Sequence, residues 1–323
     1  MKKFIFVFCL LISFSSILLS QNNLERAPLN PDFVQYMYQK NSGLLRTTTH
    51  EGFILGEIPS PMKRDFSSYV NTKAAIGDAV YDLRTAGTGG TSLLTSVKDQ
   101  GNCGSCWTFA ALGSIESRWK ILGNGDTDLS EDNLNNCHGF EWAPCDGGNL
   151  DIAAAYLSRK SGPLSEADDP YTATPGSCPS GFLEQAYVTD IVYLPNDRNT
   201  IKQALIDYGA LYTNMYFRNL SYNSSNKTYY YNGTSITNHA VLLVGWDNNK
   251  STAGGTGAWI IKNSWGSGWG ESGYFYISYN DTKVNTSVGY FPNRIDYNAD
   301  ANLYSIDELG CVSGFGYDVE QAS

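Results

Sequence analysis

Three short stretches, far apart in the chain, hold side chains able to carry out nucleophilic catalysis. The first is Gln100-Gly101-Asn102-Cys103-Gly104-Ser105-Cys106-Trp107. After it, Trp107, Ala111, Ile115, Trp119 and Leu122 recur every three or four residues up to Gly123, which predicts a helix with one buried stripe. Cys106 therefore stands in the first turn of that helix. Exposed backbone N–H groups and the positive dipole end stabilise a thiolate there, and the thiolate is the reactive form. The chain has 3 histidines. His50 lies in an N-terminal segment, His138 follows Cys137 at the end of a predicted helix, and His239 opens the apolar run Ala240-Val241-Leu242-Leu243-Val244-Gly245-Trp246. Alone, His239 reads as an ordinary half-buried histidine. A thiol nucleophile elsewhere in the chain makes it the candidate base, because an imidazole titrates near neutrality. The third stretch is Trp259-Ile260-Ile261-Lys262-Asn263-Ser264-Trp265-Gly266. Asn263 ends a strand that can pair beside the one opened by His239. Its amide oxygen can accept the imidazole N–H, and Trp265 can roof that bond. Gln100, with the backbone N–H of Cys106, can hold the oxyanion of a tetrahedral intermediate, a donor worth ~3 kcal/mol.

Two rival readings of Cys103 and Cys106 lack support. A redox pair normally carries an aromatic before its first cysteine and sits in a βαβ unit; here Trp107 follows the second cysteine. A zinc site lacks a second close Cys or His pair, so no metal and no cofactor is expected.

The elements that must position these residues separate along the chain. Further helices are predicted near Ser130, over about Leu150 to Arg159 with Asn149 as cap and Gly162-Pro163 as stop, and over Ile201 to Tyr208 with Thr200 as cap. Strands follow at Leu211 to Phe217, Ala240 to Trp246, Ala258 to Lys262 and Tyr274 to Tyr279, with a loop or edge hairpin over Asn219 to Asn238. Helices first and strands second predict an α+β fold with two lobes. The net charge of −10 argues against a nucleic-acid partner, which would need a basic face. Met1-Lys2-Lys3, the apolar run Phe4 to Leu19 and Ser20 form a signal-peptide pattern over 1–20. The run is short of the ~20 residues of a spanning helix, so no stable membrane insertion is expected after cleavage. The mature protein should be secreted, or in a lysosome-like compartment of a eukaryote, where disulfides persist. The loop-rich, cysteine-free segment 21–77 reads as a pro-segment. If carboxylates hold it, acid should release it.

Taken together, Gln100 to Trp107, Asn238-His239-Ala240 and Asn263-Ser264-Trp265-Gly266 resemble the three signatures of papain-like cysteine peptidases. His239 and Asn263 follow Cys106 by 133 residues (106 to 239) and 157 residues (106 to 263), near the ~130–150 expected for such a pair. The resemblance covers about Tyr81 to Ile295. It implies a helical left lobe and a β-barrel-like right lobe over 78–298, with the cleft between them and peptides or proteins as substrates. It assigns catalysis to Cys106, His239, Asn263 and Gln100, and substrate contacts to Gly147, Gly148, Trp265 and Asn238. It implies the disulfides Cys103–Cys145 and Cys137–Cys178. At Gly148 a side chain would block close backbone approach. The extension 299–323, with Cys311, resembles the entry to the lectin-like domain of some microbial members, which implies a glycan contact. A secreted binding protein on a retained scaffold, and an acyl transferase using the same first half-reaction, are the competing functions.

Overall fold

A computed structural model describes residues 28–69, 76–181 and 184–296. The expected signal peptide, the extension 299–323 and Cys311 lie outside them. Five α-helices are described: α1 (Pro31–Asn41), α2 (Cys106–Ile121), α3 (Glu131–Cys137), α4 (Leu150–Ser158) and α5 (Arg198–Tyr208). The strands are β1 (Val80–Asp82), β2 (Ala186–Tyr187), β3 (Val192–Leu194), β4 (Leu211–Met215), β5 (Tyr222–Asn223), β6 (Thr228–Tyr229), β7 (His239–Thr252), β8 (Gly255–Lys262), β9 (Tyr274–Ser278), β10 (Val288–Tyr290) and β11 (Ile295–Asp296). Helices α2 to α4 precede most of the strands, but the separation is less clean than expected: β1 comes before them, and β2 and β3 come before α5.

Caps fix where the helices begin. Ser130 accepts the N–H of Asn133 at the start of α3, and Asn149 accepts those of Asp151 and Ile152 at the start of α4. The cap of α5 is Asp197 rather than Thr200: the Asp197 side chain accepts the Thr200 N–H, which draws the helix start back to Arg198. β7 runs on beyond Trp246 to Thr252, because it pairs with β8 through their shared turn.

Two cores lie side by side. α2, α3 and α4 enclose Trp107, Leu112, Ile115, Trp119, Leu134 and Tyr156. The other core belongs to a nine-stranded sheet ordered β3-β10-β4-β7-β8-β9-β6-β5, with β1 also on β7. The sheet does not close on itself, so the right lobe is barrel-like only loosely. Within Asn219 to Asn238, β5 and β6 form an antiparallel edge hairpin, and β6 joins the sheet parallel to β9. The single buried stripe expected for the helix after Cys106 does not describe it: Leu122 is exposed at the helix end, and α2 is buried nearly all round, since it is packed by helices on one side and by β4 and β7 on the other. Disulfides Cys103–Cys145 and Cys137–Cys178 are both formed. Among the described residues no helix is long and apolar enough to cross a membrane.

Candidate active site

The position of α2 between the lobes decides where its first residue points. Cys106 is fully buried and is the free cysteine among the described residues. Its Sγ accepts the backbone N–H of Ala240 at 3.4 Å, so the first turn of α2 touches the first residues of β7. His239 is the neighbour of Ala240 and opens that strand. Its Nε2 meets Asn263 Oδ1 at 2.8 Å, while its Nδ1 is buried without a hydrogen-bond partner. β8 ends at Lys262 and pairs with β7, which places Asn263 beside the ring. Trp265 stacks on the imidazole at 4.6 Å, and Phe217 packs edge-on against Trp265 at 4.9 Å. The hydrogen bond between His239 and Asn263 is thereby roofed by aromatic surface. Gln100 is fixed through Ser264, whose hydroxyl donates to Gln100 Oε1 at 2.7 Å.

The other two histidines stand apart. His50 is exposed, and its backbone N–H donates to Asn219 Oδ1. His138 is buried with its Nδ1 accepting the Phe140 N–H, its ring against Trp107 and its pKa pushed down to about 4 by burial and Arg159. It is a packing residue. Among the described residues no cluster of three His, Cys, Asp or Glu side chains is placed to hold a metal ion.

The N-terminal segment runs through the cleft as an extended strand. Phe53 stacks on Trp265 at 4.7 Å, and Gln100 Nε2 donates to the Ile54 carbonyl at 3.2 Å. Gly56 passes against Gly104, and its N–H is among the groups that act on the Cys106 thiol. Gly148 donates to Gly56 O and accepts from Ile58 N, both at 2.9 Å, in a parallel pairing around Glu57. Glu57 N–H donates to Asn238 O at 3.2 Å, and its carboxyl meets the Tyr212 hydroxyl at 2.5 Å. Further on, Ser60 and Arg64 both bind Asp151, and the Arg64 guanidinium lies over the Tyr193 ring. Close approach demands glycine twice. A Cβ at Gly56 would fall 2.0 Å from Gly104 O, and one at Gly148 would fall 2.4 Å from the Trp107 ring. The need for glycine at 148 thus comes from the indole behind it as well as from the strand in front.

Burial works against the expected charge state of the pair. Burial pushes the Cys106 thiol up to about 12, outweighing the N–H groups of Ala240, Gly56 and Trp107, and nearby Glu57 adds to the rise. Burial also pushes His239 down to about 4, against the opposing bond to Asn263. Both shifts favour the neutral thiol and the neutral ring over the ionised pair expected from the dipole end of α2.

A family model described as papain family cysteine protease matches residues 78–290. The chain belongs to the papain family of cysteine proteases. It is 38% identical to a viral cathepsin of Adoxophyes honmai nucleopolyhedrovirus over 189 residues, 58% of this chain and 54% of that protein. It is 34% identical to a cysteine proteinase of Trypanosoma brucei brucei over 221 residues, 64% of this chain and 45% of that protein. Among solved structures it resembles the cysteine protease and lectin-like domains of Cwp84, a surface-layer-associated protein of Clostridium difficile. The TM-score is 0.74 at 26% identity, covering 89% of this chain and 64% of that one. The chain thus spans about half the length of the curated relatives it matches.

In this papain-family chain, Cys106, His239, Asn263, Gln100, Trp265, Asn238, Gly147 and Gly148 all line or border one cleft. The sequence reading missed the residues that fill it: Gly56, Glu57 and Arg64, with Tyr212, Asp151 and Tyr193 beneath them. One signal was present. Glu57 is a lone acid inside the apolar stretch Phe53 to Ile58, and such a residue needs a polar partner when buried.

Proposed function

We propose that the mature protein is a secreted cysteine endopeptidase and that segment 21–77 is its inhibitory pro-segment. The observation that carries this reading is the state of His239. One ring nitrogen is fixed by Asn263, and the other has no partner, at the strand end that touches Cys106. With the cleft open, Nδ1 takes the thiol proton and leaves a thiolate–imidazolium pair, with Asn263 Oδ1 accepting a hydrogen bond from Nε2–H. Sγ attacks the scissile carbonyl carbon, and the C=O π pair moves to oxygen, where Gln100 Nε2 and the N–H groups opening α2 receive it. The C–N bond then breaks, and His239 passes its proton to the departing amine. The thioester is cleaved by water, which His239 deprotonates, releasing the acid and the thiol.

The same geometry accounts for inhibition. In the closed state the Gly56 carbonyl is held by the Gly148 N–H at 2.9 Å. The Ile54 carbonyl meanwhile occupies Gln100 Nε2. Segment 1–20 acts as the signal peptide in this reading. Extension 299–323 is taken as the entry to a lectin-like domain with a glycan contact, by its resemblance and by the domain content of the Clostridium difficile neighbour.

The test uses the processed protein, a fluorogenic peptide and an epoxysuccinyl inhibitor. Hydrolysis with free acid as product, loss of activity on labelling and an adduct mapped to Cys106 are expected. An unlabelled protein that only binds ligands would overturn the reading, and a product joined to an added amine would make the enzyme a transferase.

A further inference from the structure

The side chain of Glu57 is 4% exposed and lies among polar atoms. Tyr212, fully buried on β4, places its hydroxyl 2.5 Å from Glu57 Oε2. Asn214, two residues along the same strand, brings a buried side-chain amide that acts on the same carboxyl. The Asn214 amide is held in orientation. Its Oδ1 accepts from the Thr286 hydroxyl at 3.0 Å and from Ser287 N–H at 2.9 Å, so Nδ2 is left to donate toward Thr237 and the pocket. A cavity of about 310 Å³ adjoins Asn214 and is lined in part by Asn285, whose Nδ2 is buried without a partner.

We propose that this is the specificity pocket of the mature enzyme and that it selects glutamine, or protonated glutamate, in the substrate residue immediately before the one supplying the scissile carbonyl. The proposal rests on the peptidase reading above and deepens it. The register follows from main-chain pairing. Gly148 offers one N–H and one C=O, which Gly56 and Ile58 now use on either side of Glu57. An extended substrate on that same edge puts one side chain where Glu57 lies, next to the residue lying over Cys106.

Selection follows from what an occupant leaves unpaired. Leucine or phenylalanine would strand the Tyr212 hydroxyl and Asn214 Nδ2 away from water, and buried unpaired polar groups are costly. Sites built to hydrogen-bond a side chain reject apolar analogues strongly for this reason. The pocket also disfavours charge. The titratable groups that act with Glu57 are Tyr212 on β4, Tyr36 on α1, Cys106 on α2 and Asp151 on α4, and the nearby cation Arg64, on the same N-terminal segment, is paired with Asp151. Glutamine needs no proton to enter, whereas glutamate must be neutral, as Glu57 is here with its pKa raised to about 8.

The experiment takes the processed enzyme and a set of fluorogenic peptides differing only at the residue in question: Gln, Glu, Leu, Phe and Arg. Cleavage-site mapping on a peptide mixture by mass spectrometry reads the same preference without a chosen register. The Gln peptide should exceed Leu and Phe in kcat/KM by about ten- to hundredfold. The Glu/Gln ratio should fall as pH rises through neutrality. Tyr212→Phe and, separately, Asn214→Leu should shrink the Gln/Leu ratio in protein that an epoxysuccinyl inhibitor still labels at Cys106. A preference for Leu, Phe or Arg, or an unchanged ratio in both variants, would overturn the pocket assignment while leaving the peptidase reading intact. No hydrolysis of any peptide with Cys106 unlabelled would overturn both.

Discussion

A thiol, an imidazole and an amide divide the chemistry unequally, and their surroundings say how. Cys106 supplies the bond-forming atom, so Cys106→Ala should reduce peptide hydrolysis to background. Asn263 touches only Nε2 of His239. Removing it frees the ring to turn but leaves the thiol and the base in place, while Trp265 still restrains the imidazole. Asn263→Ala should therefore lower kcat by about 10²-fold or less, a fraction of what positioned proton transfer supplies. Equal losses in the two variants would contradict this division. Gly56 makes a complementary prediction in the unprocessed chain. A methyl group there would meet Gly104 O at 2.0 Å, and neither backbone can yield without lifting the strand. Gly56→Ala should speed inhibitor labelling of Cys106 in the full-length protein by at least about tenfold, a factor that corresponds to ~1.4 kcal/mol of lost closure. An unchanged rate would show that the strand does not hold the cleft shut.

At the scale of elements, α2 is kept in place by charge as well as by packing. Lys98 Nζ lies 3.0 Å from Glu116 on α2, 2.8 Å from Glu131 on α3 and 2.6 Å from Asp128. Both glutamates are 1% exposed, so loss of the lysine removes the cation that pairs directly with two buried acids. Lys98→Met should destabilise the protein by about 3–5 kcal/mol, read by denaturant unfolding. This network also shows the limits of a sequence reading. α2, α4 and the strands around His239 and Asn263 were legible because one apolar period or one cap residue sufficed to mark each. The catalytic residues were legible because helix start, strand start and strand end are local features. Lys98, Glu116 and Glu131 come together only through the packing of α2 on α3. The path of residues 53–64 is likewise set by Gly148 and Asp151, far away in sequence, so that stretch read only as loop. Thr200 was mistaken for a cap because Asp197, which holds the Thr200 N–H, starts the helix three residues earlier.

For the whole molecule, Glu57 links closure by the N-terminal segment to pH, and this one group acts against acid release, while the carboxylate contacts Arg64–Asp151, Lys40–Asp146 and Lys283–Asp32 also tie the segment down. Glu57 binds its proton more tightly in the closed form, with its pKa raised from 4.5 to about 8, so rising pH favours opening across that range. The Cys106–His239 pair carries one proton as thiol and neutral ring in the closed form and one as thiolate and imidazolium in the open form, so while the pair holds that one proton only Glu57 contributes. Opening should then strengthen up to about pH 8, by at most about tenfold per pH unit. Labelling of Cys106 in the full-length chain, normalised to the processed enzyme, measures this, and a steady increase toward pH 4 would refute it. The central claim is that uncovering the cleft lets His239 ionise Cys106. The direct measurement is the alkylation rate of Cys106 against pH in full-length, processed and processed His239→Ala protein. The processed enzyme should react on a plateau extending well below pH 7, the full-length chain far more slowly, and the histidine variant without that plateau. A processed enzyme whose thiol titrates like a free cysteine near ~8.5, with or without His239, would contradict the account.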